Sequence, residues 1–181
     1  KKGIRVITSS IRRNGPQFLD SKIHHNNLLN NILAKIQANV AGVDAAIMLD
    51  ANGFVAELND TNLFMVKDGV VLTSPPDACL AGITRGIVIA LCRQADIPVV
   101  ERNLSLTEFY NADEVFATGT MGELTPVREI DGRLVKYISD DFTADKPVKF
   151  IGDDFAEESI MKRIRDRFHE FIPANCTRML P

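Results

Sequence analysis

The chain has 181 residues, 45% of them apolar and 25% charged, which suits one domain or one large domain with an appendage and leaves enough apolar material for a true core. Its formal net charge of -3, without basic blocks, excludes the electrostatic footprint of a nucleic-acid or anionic-membrane binder. Cys79, Cys92 and Cys176 are odd in number and widely spaced, which excludes a disulfide scaffold or a cysteine zinc site and points to reduced thiols in a cytoplasmic compartment, or an organelle of similar redox state. The longest apolar run, Ile87 to Cys92, is too short to span a bilayer.

In chain order, Ile4 to Thr8 reads as a strand that follows Lys1-Lys2-Gly3 with no lead-in, as if the chain were the C-terminal portion of a longer polypeptide. Arg12-Arg13-Asn14-Gly15-Pro16 is a polar turn. A helix is predicted from about Asn26 to Val40, burying Leu28, Leu29, Ile32, Leu33 and Ile36 and turning Asn30, Asn31, Lys35 and Gln37 to solvent. Ala45 to Leu49 and Phe54 to Glu57 form one hairpin across Asp50-Ala51-Asn52-Gly53. Asn62 to Val66 and Val70 to Thr73 form another across Lys67-Asp68-Gly69.

After Pro75-Pro76 a helix runs from Gly82-Ile83-Thr84 to about Ala95, burying Ile87, Val88, Leu91 and Cys92. Ile97 to Glu101 is a strand, and Ser105-Leu106-Thr107-Glu108 is a capping box that starts a short helix. Strands follow at Glu114 to Thr118 and Leu124 to Ile130, with Asp131-Gly132 closing a last hairpin. A terminal amphipathic helix is predicted at Glu157 to Phe171. Mixed α/β order with many hairpins predicts a largely antiparallel or mixed sheet.

Few residues suggest chemistry by position alone. Lys22, at a loop-helix junction, would ordinarily be solvated surface. Glu57, at a strand end, would ordinarily cap a turn. Gly82-Ile83-Thr84 at a helix start and the Gly119-Thr120-Met121-Gly122 turn could each present amides to an anion. Adjacent His24 and His25 point about 100° apart on a helix and lack a partner at the next turn, so no metal site is expected. Asp50-Ala51-Asn52-Gly53 lacks the acidic repeat of a calcium loop.

Their joint order carries more. Arg12-Arg13-Asn14, Lys22 with Asn26-Asn27-Leu28, Phe54-Val55-Ala56-Glu57 with Thr61-Asn62-Leu63-Phe64, Leu80-Ala81-Gly82-Ile83-Thr84-Arg85, and Asp113-Glu114-Val115-Phe116 with Gly119-Thr120 and Thr125-Pro126-Val127 follow one another along the chain. This succession, over roughly Ile4 to Val135, resembles the class IV (fold-type IV) aminotransferases. The family includes branched-chain amino acid aminotransferase, D-amino acid aminotransferase and aminodeoxychorismate lyase.

The resemblance implies pyridoxal 5'-phosphate (PLP) as cofactor, with Lys22 forming the Schiff base and shuttling the proton of transamination. It implies Glu57 at the pyridine nitrogen and Ile83, Thr84 and Thr120 at the phosphate. Thr120 and Met121 would meet the substrate carboxylate, and Arg13 would lie beside the cofactor. Asn27 stands where many branched-chain enzymes have a tyrosine on the cofactor's phenolic oxygen, and Met121 where alanine is common. The implied fold is the large C-terminal domain, a mixed or antiparallel pseudo-barrel flanked by helices. Residues 1–135 would be the PLP-binding part and 136–181 a divergent tail whose terminal helix packs on it; the family's small N-terminal domain does not appear in the chain. Implied partners are a branched-chain or related amino acid, a 2-oxo acid such as 2-oxoglutarate, and a second copy in a homodimer, with neither nucleic acid nor membrane. D-amino acid transamination or a lyase reaction on the same fold, and a non-catalytic homologue acting through dimerisation, are the alternatives.

Overall fold

The computed structural model describes residues 3–135 and 159–175. The expected start of the last helix at Glu157, residue Cys176, and the stretch from Lys136 to Glu158 lie outside them. In chain order the elements are β1 (Ile4–Thr8), α1 (Leu29–Val40), β2 (Ala45–Leu49), β3 (Val55–Leu58), β4 (Asn62–Lys67), β5 (Val70–Thr73), α2 (Ile83–Gln94), β6 (Val99–Glu101), α3 (Leu106–Tyr110), β7 (Glu114–Gly119), β8 (Glu123–Ile130), β9 (Arg133–Leu134) and α4 (Ile160–Asn175).

The strands form one mixed sheet in the order β3-β2-β1-β8-β7-β4-β5-β6, with β9 beside β8. β1 runs parallel to both β2 and β8, and β5 parallel to β6; every other pairing is antiparallel. Both Asp-Gly hairpins have positive φ at their two central residues (Asp68 48°, Gly69 78°; Asp131 51°, Gly132 76°), the backbone twist that matches flanking strands. The sheet curls until its β3 edge meets the segment that follows β6. There Val55 N–H donates to the Leu104 carbonyl at 2.8 Å, and Phe54 bridges Ser105. The curl encloses a core that includes Val6, Ile47, Leu63, Leu104, Phe109 and Val115.

Strand alternation assigns the other side chains to the outside of the curl. Phe64 and Phe116 stack there with ring centroids 5.1 Å apart, and α2 and α4 cover them through Val88, Cys92, Met161 and Ile164. The capping box of α3 is complete, with Ser105 and Glu108 each bonding the other's backbone.

Helix α1 differs from its expected orientation. It begins at Leu29 rather than Asn26, because His25 to Leu28 form local turn bonds: Asn27 N–H to His25 Nδ1 and Leu28 N–H to the Asn26 carbonyl. Its buried face is Asn31, Ala34 and Ala38. Leu28, Leu29, Ile32, Leu33 and Ile36, expected inside, are exposed. The reason is close packing. Ala34 and Ala38 let the helix settle on Ala46 and Met48 of β2, and a leucine stripe would hold it too far away. Asn31 is buried because it has polar partners on the sheet side. Ala34→Leu is therefore expected to cost about 1–3 kcal/mol by overpacking, read as a lower urea midpoint; an unchanged midpoint would contradict the packing.

Candidate functional site

The register Met48↔Glu57 puts Glu57 on the face of the sheet covered by α1. It is 4% exposed, and both its oxygens have partners. Arg13, also buried, donates from Nε to Glu57 Oε1 at 2.6 Å, and Asn62 Nδ2 donates to Oε2 at 3.1 Å. Arg13 Nη1 also donates to Asn31 Oδ1 at 3.1 Å, and Asn31 Nδ2 to the Asn59 carbonyl at 2.7 Å. Asn59 Oδ1 in turn accepts the Ala46 N–H at 2.9 Å. Five polar residues thus form one buried network, Asn59 joining it through its main-chain carbonyl. Burial pushes the Glu57 carboxyl up to about 7 from 4.5, although the Arg13 guanidinium pulls the other way. The group is poised to take up or release a proton near neutrality, and a further cation beside it would favour its ionised form.

Asn62 links this carboxyl to the start of α2. The second hydrogen of its Nδ2 goes to the Leu80 carbonyl at 2.8 Å. A Cβ built on Gly82, the N-cap of α2, would collide with Asn62 Oδ1, and one on Gly119 would fall 2.7 Å from Thr61 Cγ2. Only glycine lets these two backbone positions pack so closely against the Asn62 and Thr61 side chains. Asn62 also pairs with Thr118 across β4 and β7, so the Gly119-Thr120 turn opens beside it. No side chain caps the first turn of α2, and no acidic residue lies in it. Its amides are left to meet an anion from outside the helix.

The predicted residues fall as follows. Arg13, Glu57 and Thr84 are buried, Arg13 and Glu57 in direct contact and Thr84 in the first turn of α2. Ile83, beside Thr84, has an exposed side chain, so only its backbone faces inward roles. Thr120 is exposed in its turn, and Met121 is 98% exposed. Lys22 is exposed. Its Nζ lies 3.7 Å from Asp20 Oδ2, and no described contact joins it to Glu57. Its loop is nevertheless tied to the network, because buried Ser21 donates to the Asn14 carbonyl at 2.7 Å, next to Arg13. Asn27 is exposed on the same segment.

Nothing in the local sequence around Asn31, Asn59 or Asn62 assigns them a role. Asn62, a lone amide opening the apolar strand Asn62-Leu63-Phe64-Met65-Val66, is the available signal, whereas Asn31 lies opposite the apolar stripe of α1 and so reads as solvent-facing. Cys79 also lies buried near the site. Burial pushes its thiol up to about 12, which leaves it protonated and unfit as a nucleophile.

The family described as amino-transferase class IV matches residues 1–130. Branched-chain-amino-acid aminotransferase-like protein 2 of Arabidopsis thaliana is 60% identical over 133 residues, 74% of this chain and 24% of that protein. The crystal structure of Escherichia coli branched-chain amino acid aminotransferase superposes with a TM-score of 0.82 at 32% identity, covering 99% of this chain and 54% of that one. The Thermobaculum terrenum branched-chain amino acid aminotransferase in its PLP form gives 0.82 at 30% identity, covering 96% and 52%. The chain therefore spans about half the length of these solved relatives and a quarter of the plant protein. With the curled mixed sheet and the buried Arg13-Glu57-Asn62 cluster beside an uncapped helix start, these matches show that the chain belongs to the class IV aminotransferases.

Proposed function

We propose that this chain is the cofactor-bearing part of a PLP-dependent aminotransferase that moves the amino group of a branched-chain or related amino acid to 2-oxoglutarate. The carrying observation is the buried carboxyl of Glu57, bracketed by Arg13 and Asn62 within one residue contact of the open α2 N-terminus. A pyridinium needs a buried carboxylate at one end of a site and a phosphate needs free amides at the other, and Glu57 and the uncapped α2 start, linked through Asn62, have that polarity. The residues present fit the group.

On this reading Glu57 holds the ring nitrogen, the Ile83 and Thr84 amides and the Thr120 hydroxyl hold the phosphate, and Lys22 holds the aldehyde carbon. Asn27 lies at the phenolic oxygen and Arg13 keeps Glu57 in place. The cofactor, when bound, supplies an electron sink for the bond broken at the substrate Cα. Lys22, an amine on a mobile four-carbon stem, would be free to act as a base once the substrate amine has displaced it from the aldehyde carbon, and would carry the proton from the substrate Cα to that carbon. Amides of Thr120 and Met121 orient the substrate carboxylate. Homodimerisation is supported by the apolar stripe of α1, which nothing in the described chain covers. Cys79 and Cys92 are free thiols, in keeping with a reducing compartment such as the cytoplasm.

Adding PLP to the purified chain is expected to raise an absorption band above about 400 nm. Lys22→Ala should abolish it while shifting stability by no more than about 0.5 kcal/mol, because the side chain is exposed. No band, or a band that survives the substitution, would overturn the proposal and favour a non-catalytic homologue.

A further inference from the structure

Thr118 lies on β7, 2% exposed, and its hydroxyl has no hydrogen-bond partner among the described residues. Burying such a group without a partner is ordinarily unfavourable. For packing alone, a valine would fill the same place on a strand without that penalty. The hydroxyl is thus unspent in the chain by itself.

Its direction follows from register. Val115 and Ala117 point into the curled core, so Phe116 and Thr118 point outward, toward α2. Phe116 pairs with Phe64 in the layer packed on Val88 and Cys92, well inside the helix. One step farther along the same face, Thr118 pairs with Asn62, and Asn62 abuts Gly82 at the helix start. Thr118 therefore stands level with the first turn of α2, whose amides carry no side-chain cap. The next residue, Gly119, begins the turn that bears Thr120. An uncapped helix start, the Asn62 amide packed against Gly82 and an unpartnered buried hydroxyl converge at one place.

We infer that the Thr118 hydroxyl is a further anion ligand, donating to an oxygen of the phosphate held at the start of α2. This rests on the cofactor assignment above and adds a buried strand residue to the two segments that hold the phosphate. A hydroxyl on a central strand offers what an exposed turn residue cannot: it is fixed in place before the ligand arrives, so little freedom is lost on binding. Thr118 holds the cofactor and takes no part in proton transfer.

The test compares pyridoxal 5'-phosphate with pyridoxal, which has the same ring and aldehyde without the phosphate, binding to the full chain by equilibrium dialysis. Thr118→Val should weaken the phosphorylated ligand about 10-fold or more, the loss of a charge-assisted hydrogen bond, and leave pyridoxal unchanged. Thr118→Ser should restore most of the affinity. In a Lys22→Ala background the same ratio should persist, since the phosphate contact does not depend on the lysine. Equal affinity of wild type and Thr118→Val for pyridoxal 5'-phosphate would overturn the inference, as would an equal loss for both ligands. If the absorption band and its dependence on Lys22 survive such a result, the cofactor reading stands and only the role of Thr118 falls. If the wild type binds no pyridoxal 5'-phosphate, both fall.

Discussion

Glu57→Ala is expected to destabilise the chain by about 3–5 kcal/mol at pH 8, because it strands the buried Arg13 guanidinium without its carboxylate. On the proposed function, aminotransferase activity should fall on the order of 100-fold or more, the size typical of losing one fixed electrostatic partner. Glu57→Gln separates the two effects, since it retains the shape and removes the charge. The wild-type carboxyl is neutral in both folded and unfolded states below pH 4.5. Between 4.5 and about 7 the unfolded chain has released the proton while the folded chain retains it, so this group makes the fold less stable as pH rises through that window. Above about 7 the penalty is constant. Urea midpoints measured from pH 4.5 to 8 should therefore fall more steeply with pH for wild type than for Glu57→Gln. Parallel profiles would mean that burial does not govern this carboxyl.

The second large effect is expected at Glu114, outside the site. This residue starts β7, yet its carboxylate serves α4. It accepts the Ser159 hydroxyl at 2.8 Å and the Ile160 and Met161 N–H groups at 2.9 Å each. A negative group there meets the positive end of the helix dipole. Burial raises its pKa, while the three donors resist that rise. Glu114→Ala should cost about 3 kcal/mol, through two helix-terminal N–H groups and a buried hydroxyl left unpaired. The face of α4 formed by Met161, Ile164 and Phe168 should then release from α2. Faster tryptic cleavage within α4 and a reduced helical circular-dichroism signal would register the release. Unchanged protease resistance would show that apolar packing alone seats the helix.

These two glutamates also mark what a sequence can and cannot disclose. The Asp-Gly hairpins, the Ser105-Glu108 capping box and the apolar run of β2 are written in neighbouring residues, and each appears where expected. The order of family motifs pointed to Glu57, Arg13 and the start of α2. What was illegible depends on pairing across the chain. Asn31 and Asn62 acquire roles only when strand register and helix contact bring them to Glu57. Glu114 caps a helix about 45 residues away. The inverted face of α1 follows the same rule: apolar spacing shows that a stripe will be buried, not which partner buries it.

The placement of β1 has a kinetic consequence. The first strand lies between β2 and β8, and its bonds to Asp131, from the Thr8 N–H and hydroxyl, each span 123 residues at 2.6 Å. Local hairpins can form within microseconds, whereas closure of such a long loop must wait for the distant strand and slows folding. β8 pairs both with β7, which ends at Gly119, and with β1, which leads to Arg13, so this late pairing fixes both segments within one sheet. A refolding chain should regain most of its strand signal early and its capacity to bind the cofactor last.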